Sequence, residues 1–225
     1  MQLLIKDAAL IFSVDEETIR NWIEERALPA CHLKETVCFD RAELLEWAAG
    51  TGTPVAADAT PVPAGQAAPP LIAAALEAGG VHLDVPGGTV AAVLDAVVAR
   101  LVLPAHMNRA FLHQVLLARE AMGSTAIGNG IAVPHPRNPI IINVAAPSVT
   151  LCHLAQPIDY GAVDGVPVAV LFTLISPNTH WHLHLLSRLM FLLRDGRFTE
   201  ALKRRAGTAD IVSVARRIEA ALPGV

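Results

Sequence analysis

The sequence predicts an α/β protein preceded by a small, mostly helical domain. Three observations carry that reading. From Leu71 onward, short β-branched runs such as those at 81–85 and 168–176 alternate with segments of helical apolar spacing, as layered α/β folds require. Residues 1–50 show helical patterning almost throughout. Between the two, residues 51–70 are rich in Ala, Pro, Gly and Thr, carry one charge, Asp58, and lack an apolar period, which reads as a flexible tether. The expected units are 1–50, a linker at 51–70, and 71–225.

In the first unit Ala8, Ala9, Ile11 and Phe12 form the stripe of one helix. Ser13 and Val14 turn the chain, and Asp15 caps a second helix with Val14, Ile19, Trp22 and Ile23 as its buried set. Leu28-Pro29-Ala30 stops it, 36–39 is a short β-type stretch, and Asp40 opens a last helix through Leu44, Leu45 and Trp47. In the second unit 81–85 is a strand and Thr89 caps a helix to about residue 103. Asn108 caps the next, with stripe Phe111, Leu112, Val115, Leu116 and Met122, Arg119 on its border, and Gly123 as its stop. Residues 148–154 and 168–176 are further strands. Pro177 with Asn178 or Thr179 starts a helix through Leu183, Leu186, Leu189, Met190 and Leu193, closed by Gly196. Residues 197–205 and 209–222, the latter capped by Thr208, complete the chain as amphipathic helices.

With 53% hydrophobic and 17% charged residues and a net charge of −4, the chain has the profile of a globular protein with a sizeable core. Apolar runs such as 166–175 are too short to span a bilayer, and Lys6 and Asp7 interrupt what would be the apolar stretch of a secretory leader. The expectation is a cytoplasmic protein with no membrane insertion. Cys31, Cys38 and Cys152, an odd and scattered set, argue against a disulfide framework and fit a reducing compartment. Cys31 and Cys38, with His32, have the wrong spacing for a zinc site, and no second pair follows.

The stretch that carries chemistry is Gly-Ser-Thr-Ala-Ile-Gly-Asn-Gly-Ile-Ala-Val-Pro-His, from Gly123 to His135. Gly123, Gly128 and Gly130 allow close backbone approach and N–H groups aimed at an anion. Pro134 pushes Val133 toward extended geometry, so His135 is presented at a strand end with little freedom. The stretch resembles the phosphorylation-site motif of the fructose, mannitol and nitrogen-regulatory class of phosphotransferase-system enzyme IIA. That resemblance implies a mixed sheet flanked by helices and a phosphotransferase that accepts a phosphoryl group on His135 from a histidine-containing phosphocarrier protein. It also implies roles for Arg119, in the Arg119-Glu120 pair before the loop, and for His182, in His182-Leu183-His184-Leu185-Leu186-Ser187. Thr125, Gly128, Asn129, Gly130 and Ser187 are the implied phosphoryl or donor contacts.

Residue types suit that chemistry. Phosphoryl transfer between imidazoles passes through a loose, in-line transition state, so the protein aligns the groups and neutralises the equatorial oxygens. An imidazole with an unperturbed pKa of about 6.5 offers a large neutral, nucleophilic fraction near neutrality. An arginine fork, a histidine N–H and loop amides supply donors, and no metal or cofactor is required. His180, His182 and His184 would share one face of a strand, as a metal site needs, but the leucine spacing after them is helical and separates His182 from the other two. After His135 the familiar Gly-basic continuation is replaced by Pro136-Arg137-Asn138-Pro139, which bears on the choice of carrier and of any sugar-specific acceptor.

Residues 1–50 resemble excisionase and MerR-like winged helix-turn-helix domains, through Leu-x-Ile-Lys-Asp-Ala-Ala, Glu-Glu-Thr-Ile-Arg-Asn-Trp-Ile, Leu-Pro-Ala and Glu-Leu-Leu-Glu-Trp. Such domains place their second helix in the DNA major groove, making Thr18, Arg20 and Asn21 the candidate readers. Yet Lys6, Arg20, Arg26, Lys34 and Arg41 face ten acidic residues, a net of −5, where phosphate binding favours a positive surface. The combined expectation is a nitrogen-regulatory phosphocarrier and regulator whose helix-turn-helix takes DNA or a protein. The rival is a transcription factor whose IIA domain only senses. Homo-oligomerisation stays open.

Overall fold

The stripe Ala8, Ala9, Ile11 and Phe12 is buried on helix α1 (Ile5–Phe12), entered directly from a two-residue strand, β1 (Leu3–Leu4). The computed structural model describes residues 3–33, 36–39, 41–51, 53–55, 70–105, 107–136 and 144–221, and the chain divides into two compact units, Met1–Ala68 and Pro69–Val225. Asp40 and most of the expected linker lie outside the described residues.

In the first unit Ser13 adopts a left-handed conformation and ends α1, and Asp15 accepts from the Thr18 amide at 2.8 Å, satisfying a free N–H at the start of α2 (Glu16–Glu25). Strands β2 (Cys31–Leu33) and β3 (Thr36–Phe39) pair antiparallel, β1 joins the other side of β3, and α3 (Arg41–Thr51) follows. Only β3 was expected, because strands of two or three residues are too short to show a period. Of the buried set expected on α2, Ile19 alone is fully enclosed. Trp22 instead joins Phe12 and Trp47 in an aromatic cluster with ring centroids 5.4–5.8 Å apart. The Arg26 guanidinium lies 5.2 and 5.1 Å from the Trp22 and Trp47 rings. Cys38 is disulfide-bonded, with Cys31 directly across the ladder, which corrects the expectation of unbridged cysteines; Cys152, in the second unit, is free and buried.

The second unit contains α4 (Ile72–Gly79), β4 (Val81–Val85), α5 (Val90–Arg100), α6 (Arg109–Glu120), β5 (Ala126–Gly128), β6 (Ile131–Ala132), β7 (Ser148–Ile158), β8 (Val168–Ile175), α7 (Thr179–Arg194), α8 (Gly196–Lys203) and α9 (Thr208–Glu219). Its sheet has the order β4-β7-β8-β6-β5, with β4–β7 and β6–β8 parallel and β7–β8 and β5–β6 antiparallel. The fold is therefore α/β, a mixed five-stranded sheet flanked by helices. Its core joins Val93, Leu94 and Val97 of α5 and Leu112 and Leu116 of α6 to Cys152, Val168 and Leu171 of the sheet. No helix among the described residues is long and apolar enough to cross a membrane.

Thr89, Asn108 and Asn178 cap their helices as expected. Three expectations need correction. Phe111 and Met122 are exposed, since α6 ends at Glu120 before the stripe reaches Met122 and Phe111 lies in its first turn. Thr208 does not cap α9; its hydroxyl accepts from the Val81 amide at 3.1 Å. Helix α4 was not anticipated, its alanine-rich sequence lacking a polar face to set its phase. It packs close to β7, where a Cβ on Gly79 would fall 2.3 Å from the Val149 carbonyl oxygen.

The start of α4 is held from the other end of the unit. Glu219, enclosed on α9, accepts from the Ile72 amide at 2.8 Å and from the Ala73 amide at 3.0 Å. Glu219→Ala would leave two buried donors without partners and should destabilise the unit by about 2–4 kcal/mol in urea denaturation. A loss below about 0.5 kcal/mol would mean that water replaces the carboxylate.

Candidate active site

Strands β6 and β8 run parallel, with Ile131 opposite Val170 and Ala132 opposite Leu171. Parallel neighbours release the chain at the same edge of a sheet. Past β6 the chain continues through Val133 and Pro134 to His135, and the Pro134 carbonyl still accepts from the Leu174 amide of β8 at 3.3 Å. Past β8 it enters α7, where the Asn178 side chain accepts from the Trp181 amide at 2.8 Å. His182 stands in the first turn of that helix. The His135 and His182 rings consequently meet, with centroids 4.9 Å apart and planes inclined at 46°.

His135 is 1% exposed, and its Nδ1 lies 2.6 Å from the Val133 carbonyl oxygen. A carbonyl only accepts, so Nδ1 carries the proton and a neutral ring holds its lone pair on Nε2. His182 is 2% exposed, and neither of its ring nitrogens has a hydrogen-bond partner among the described residues. Burial, and then the charge of His135, hold its pKa well below that of an ordinary imidazole. It therefore stays neutral with an N–H not yet bonded, an arrangement that costs about 1–3 kcal/mol and suits a group kept for a ligand.

The other two histidines of the run separate from it as helical phase requires, each about 200° around α7 from His182. Both are half-buried. Burial pushes the His184 imidazole down to about 4, assisted by Arg188 and His180. Ser187, half-buried, lies about 140° around the same helix from His182.

The glycine loop is fixed by two carboxylates. Glu120, the last residue of α6, accepts from the Thr125 amide at 2.8 Å and from the Thr125 hydroxyl at 2.6 Å. Thr125 in turn offers its carbonyl to the Val133 amide at 3.0 Å, two residues before His135. Gly128, Asn129 and Gly130, all with positive φ, form the turn between β5 and β6. The Asn129 amide donates to Asp164 Oδ2 at 2.7 Å, and the Gly130 carbonyl accepts from Ala169 and Val170. The Asn129 N–H is thus already bonded within the protein, and the glycines serve the hairpin. Arg119 sits at the loop's entrance, its guanidinium donating to the Gly123 carbonyl at 2.8 Å.

Sequence reasoning gave Glu120 no role of its own and passed over Asp164. A carboxylate five residues before a threonine across a helix end is a readable signal for Glu120. Asp164-Gly165 reads only as a turn, 35 residues from its partner. In the first unit Arg20 and Asn21 are exposed on α2 and Thr18 is half-buried, among exposed Glu16, Glu17, Glu24 and Glu25.

Residues 75–217, more than half of the chain, match the family described as "Phosphoenolpyruvate-dependent sugar phosphotransferase system, EIIA 2". The chain belongs to this family. Its first unit matches a helix-turn-helix domain family over residues 3–52. The EIIA 2 chain is similar to a nitrogen regulatory protein of Pseudomonas aeruginosa, 38% identical over 133 residues, or 57% of this chain and 82% of the relative. A nitrogen regulatory protein of Bradyrhizobium diazoefficiens is 35% identical over 109 residues, 48% of this chain and 69% of the relative. Among solved structures, nitrogen regulatory protein IIA-Ntr of Neisseria meningitidis superposes with a TM-score of 0.55 at 26% identity, covering 64% of this chain and 98% of the other. Mannitol IIA of Escherichia coli shares the fold, with a TM-score of 0.50 at 19% identity over 62% of this chain and 96% of its own. This EIIA 2 protein is thus IIA-Ntr-like and bears a helix-turn-helix domain.

The histidine environment sets a pH dependence. A histidine whose folded pKa lies below its unfolded value takes up a proton on unfolding. Its contribution is fully present above the unfolded value of about 6.5 and is lost as pH falls from there toward the folded value, about 4 for His184. The melting temperature should fall between pH 7 and pH 4, and His184→Gln should flatten the descent. A profile identical in wild type and variant would contradict the burial argument.

Proposed function

We propose that this protein is a regulatory phosphocarrier of the cytoplasm, taking a phosphoryl group on His135 Nε2 from a histidine-containing phosphocarrier protein. The observation that carries the reading is the restrained His135 ring, its proton directed to Val133, packed against a neutral, unpartnered His182. In the transfer the donor's N–P bond breaks, its electron pair returns to the donor imidazole, and the His135 Nε2 lone pair forms the new bond. The Nδ1 proton stays on the Val133 bond and disperses the positive charge that develops on the ring. His182 donates its N–H to an equatorial oxygen, and Arg119, at the loop's entrance, supplies a permanent positive charge. The enclosure of both rings excludes water and so protects the phosphohistidine from hydrolysis, with carrier docking opening the path to Nε2. Similarity to nitrogen regulatory proteins supports regulation over sugar import.

The helix-turn-helix domain would take the regulatory target. A specific observation favours a protein over DNA: the exposed α2 side chains are mostly acidic, and Arg26 is engaged with Trp22 and Trp47.

Incubation with phosphoenolpyruvate, enzyme I and the carrier should add one acid-labile phosphoryl group, and His135→Ala should abolish uptake while leaving the fold intact. Uptake by a folded His135→Ala protein would contradict the assignment. In rapid-quench assays Arg119→Ala and His182→Ala should slow transfer by about 100-fold with little change in docking, whereas His180→Ala should act by less than about threefold. Equal effects at His180 and His182 would overturn the helical-phase argument.

Fluorescence anisotropy of the full-length protein on genomic DNA fragments should show weak binding at physiological salt. Tight binding with a steep salt slope would instead mean that local basic clustering outweighs the net charge.

A further inference from the structure

We propose that Asp164 is a positioning residue for phosphoryl transfer at His135, fixing the hairpin turn from which the histidine is hung. The inference rests on His135 as the phosphoryl acceptor. Strand β6 is only two residues long, so few ladder bonds hold it, and its position depends on what fixes its ends. At the far end the Pro134 carbonyl is bonded to Leu174. At the near end the Gly130 carbonyl is bonded to Ala169 and Val170, and the turn just before it is held by the side chain of Asp164. Its Oδ2 accepts from the Asn129 amide at 2.7 Å and its Oδ1 from the Val166 amide at 3.1 Å, so one carboxylate ties the β5–β6 turn to the loop that leads into β8.

The turn is shaped for that contact. Gly128 has φ +89°, and a Cβ there would fall 3.1 Å from Asp164 Oδ2, so glycine lets the carboxylate lie against the backbone. The Asn129 backbone is left-handed as well, a conformation in which its amide points at the carboxylate. Both bonds lower the Asp164 pKa, the Asn129 bond most, so the side chain remains an ionised acceptor. From the turn, Gly130 continues the tie through its carbonyl to Ala169 and Val170, and only five residues separate Asn129 from His135. Release of Asp164 frees the turn to shift, and with it the carbonyl of Val133 that holds Nδ1. Loss of alignment at a nucleophile is costly even when nothing in contact with the phosphoryl group has changed.

The test compares wild type, Asp164→Ala and Asp164→Asn as full-length chains. Transfer from phosphorylated carrier is followed by rapid quench, carrier affinity by titration, and the ring nitrogens of His135 by 15N NMR. Asp164→Ala should transfer about tenfold more slowly with carrier affinity unchanged to within about twofold. Its His135 nitrogen shifts should move toward those of a mixed tautomer. Asp164→Asn, which retains one carbonyl acceptor, should lie between. A rate within about twofold of wild type, or a slower rate with the His135 nitrogens unmoved, overturns the proposal. If wild type takes up no phosphoryl group, the acceptor reading fails, while the ring-nitrogen comparison still decides the positioning role: shifted nitrogens support it and unmoved ones overturn it.

Discussion

The hydrogen bond from His135 Nδ1 to the Val133 carbonyl, 2.6 Å long and two residues back along the chain, is the constraint on which the site depends. It settles the tautomer, which places the lone pair on Nε2, and it fixes the ring's rotation. Everything near it holds the Val133 carbonyl still. Thr125 accepts from the Val133 amide, Glu120 grips Thr125 through both amide and hydroxyl, and Leu174 of β8 grips Pro134. The imidazole is thereby oriented through the backbone.

The parallel pairing of β6 and β8 supplies the second partner. Because both strands run out at one edge, the first turn of α7 comes up beside the end of β6, and His182 meets His135 without a long connection. A buried histidine with no hydrogen-bond partner is unfavourable in the free protein. That cost recedes when an anion arrives, so the pair is better matched to a phosphorylated ring than to a free one. Burial also lowers the pKa of His182, which keeps it a neutral donor.

Much of this was legible in the sequence, for identifiable reasons. The loop ending at His135 is contiguous, so its residues are neighbours in the chain as well as in space. His182 could be told from His180 and His184 because helical phase is fixed by the leucines that follow. The three asparagine and threonine caps at 89, 108 and 178 act within three residues and read directly. What did not read depended on distance or brevity. Asp164 meets Asn129 across 35 residues, and Glu219 meets Ile72 across 147. Strands β1, β2 and β5 are too short to declare a period, and the loop glycines gave no sign in the sequence that they also build a hairpin turn.

The central claim is that the Val133 carbonyl chooses which nitrogen of His135 is the nucleophile. NMR of 15N-histidine-labelled protein after phosphorylation by the carrier tests it most directly, since the nitrogen bonded to phosphorus is identified by its coupling to 31P. The geometry predicts phosphorus on Nε2, with Nδ1 still protonated. Phosphorus on Nδ1, or on another histidine of the chain, would contradict it.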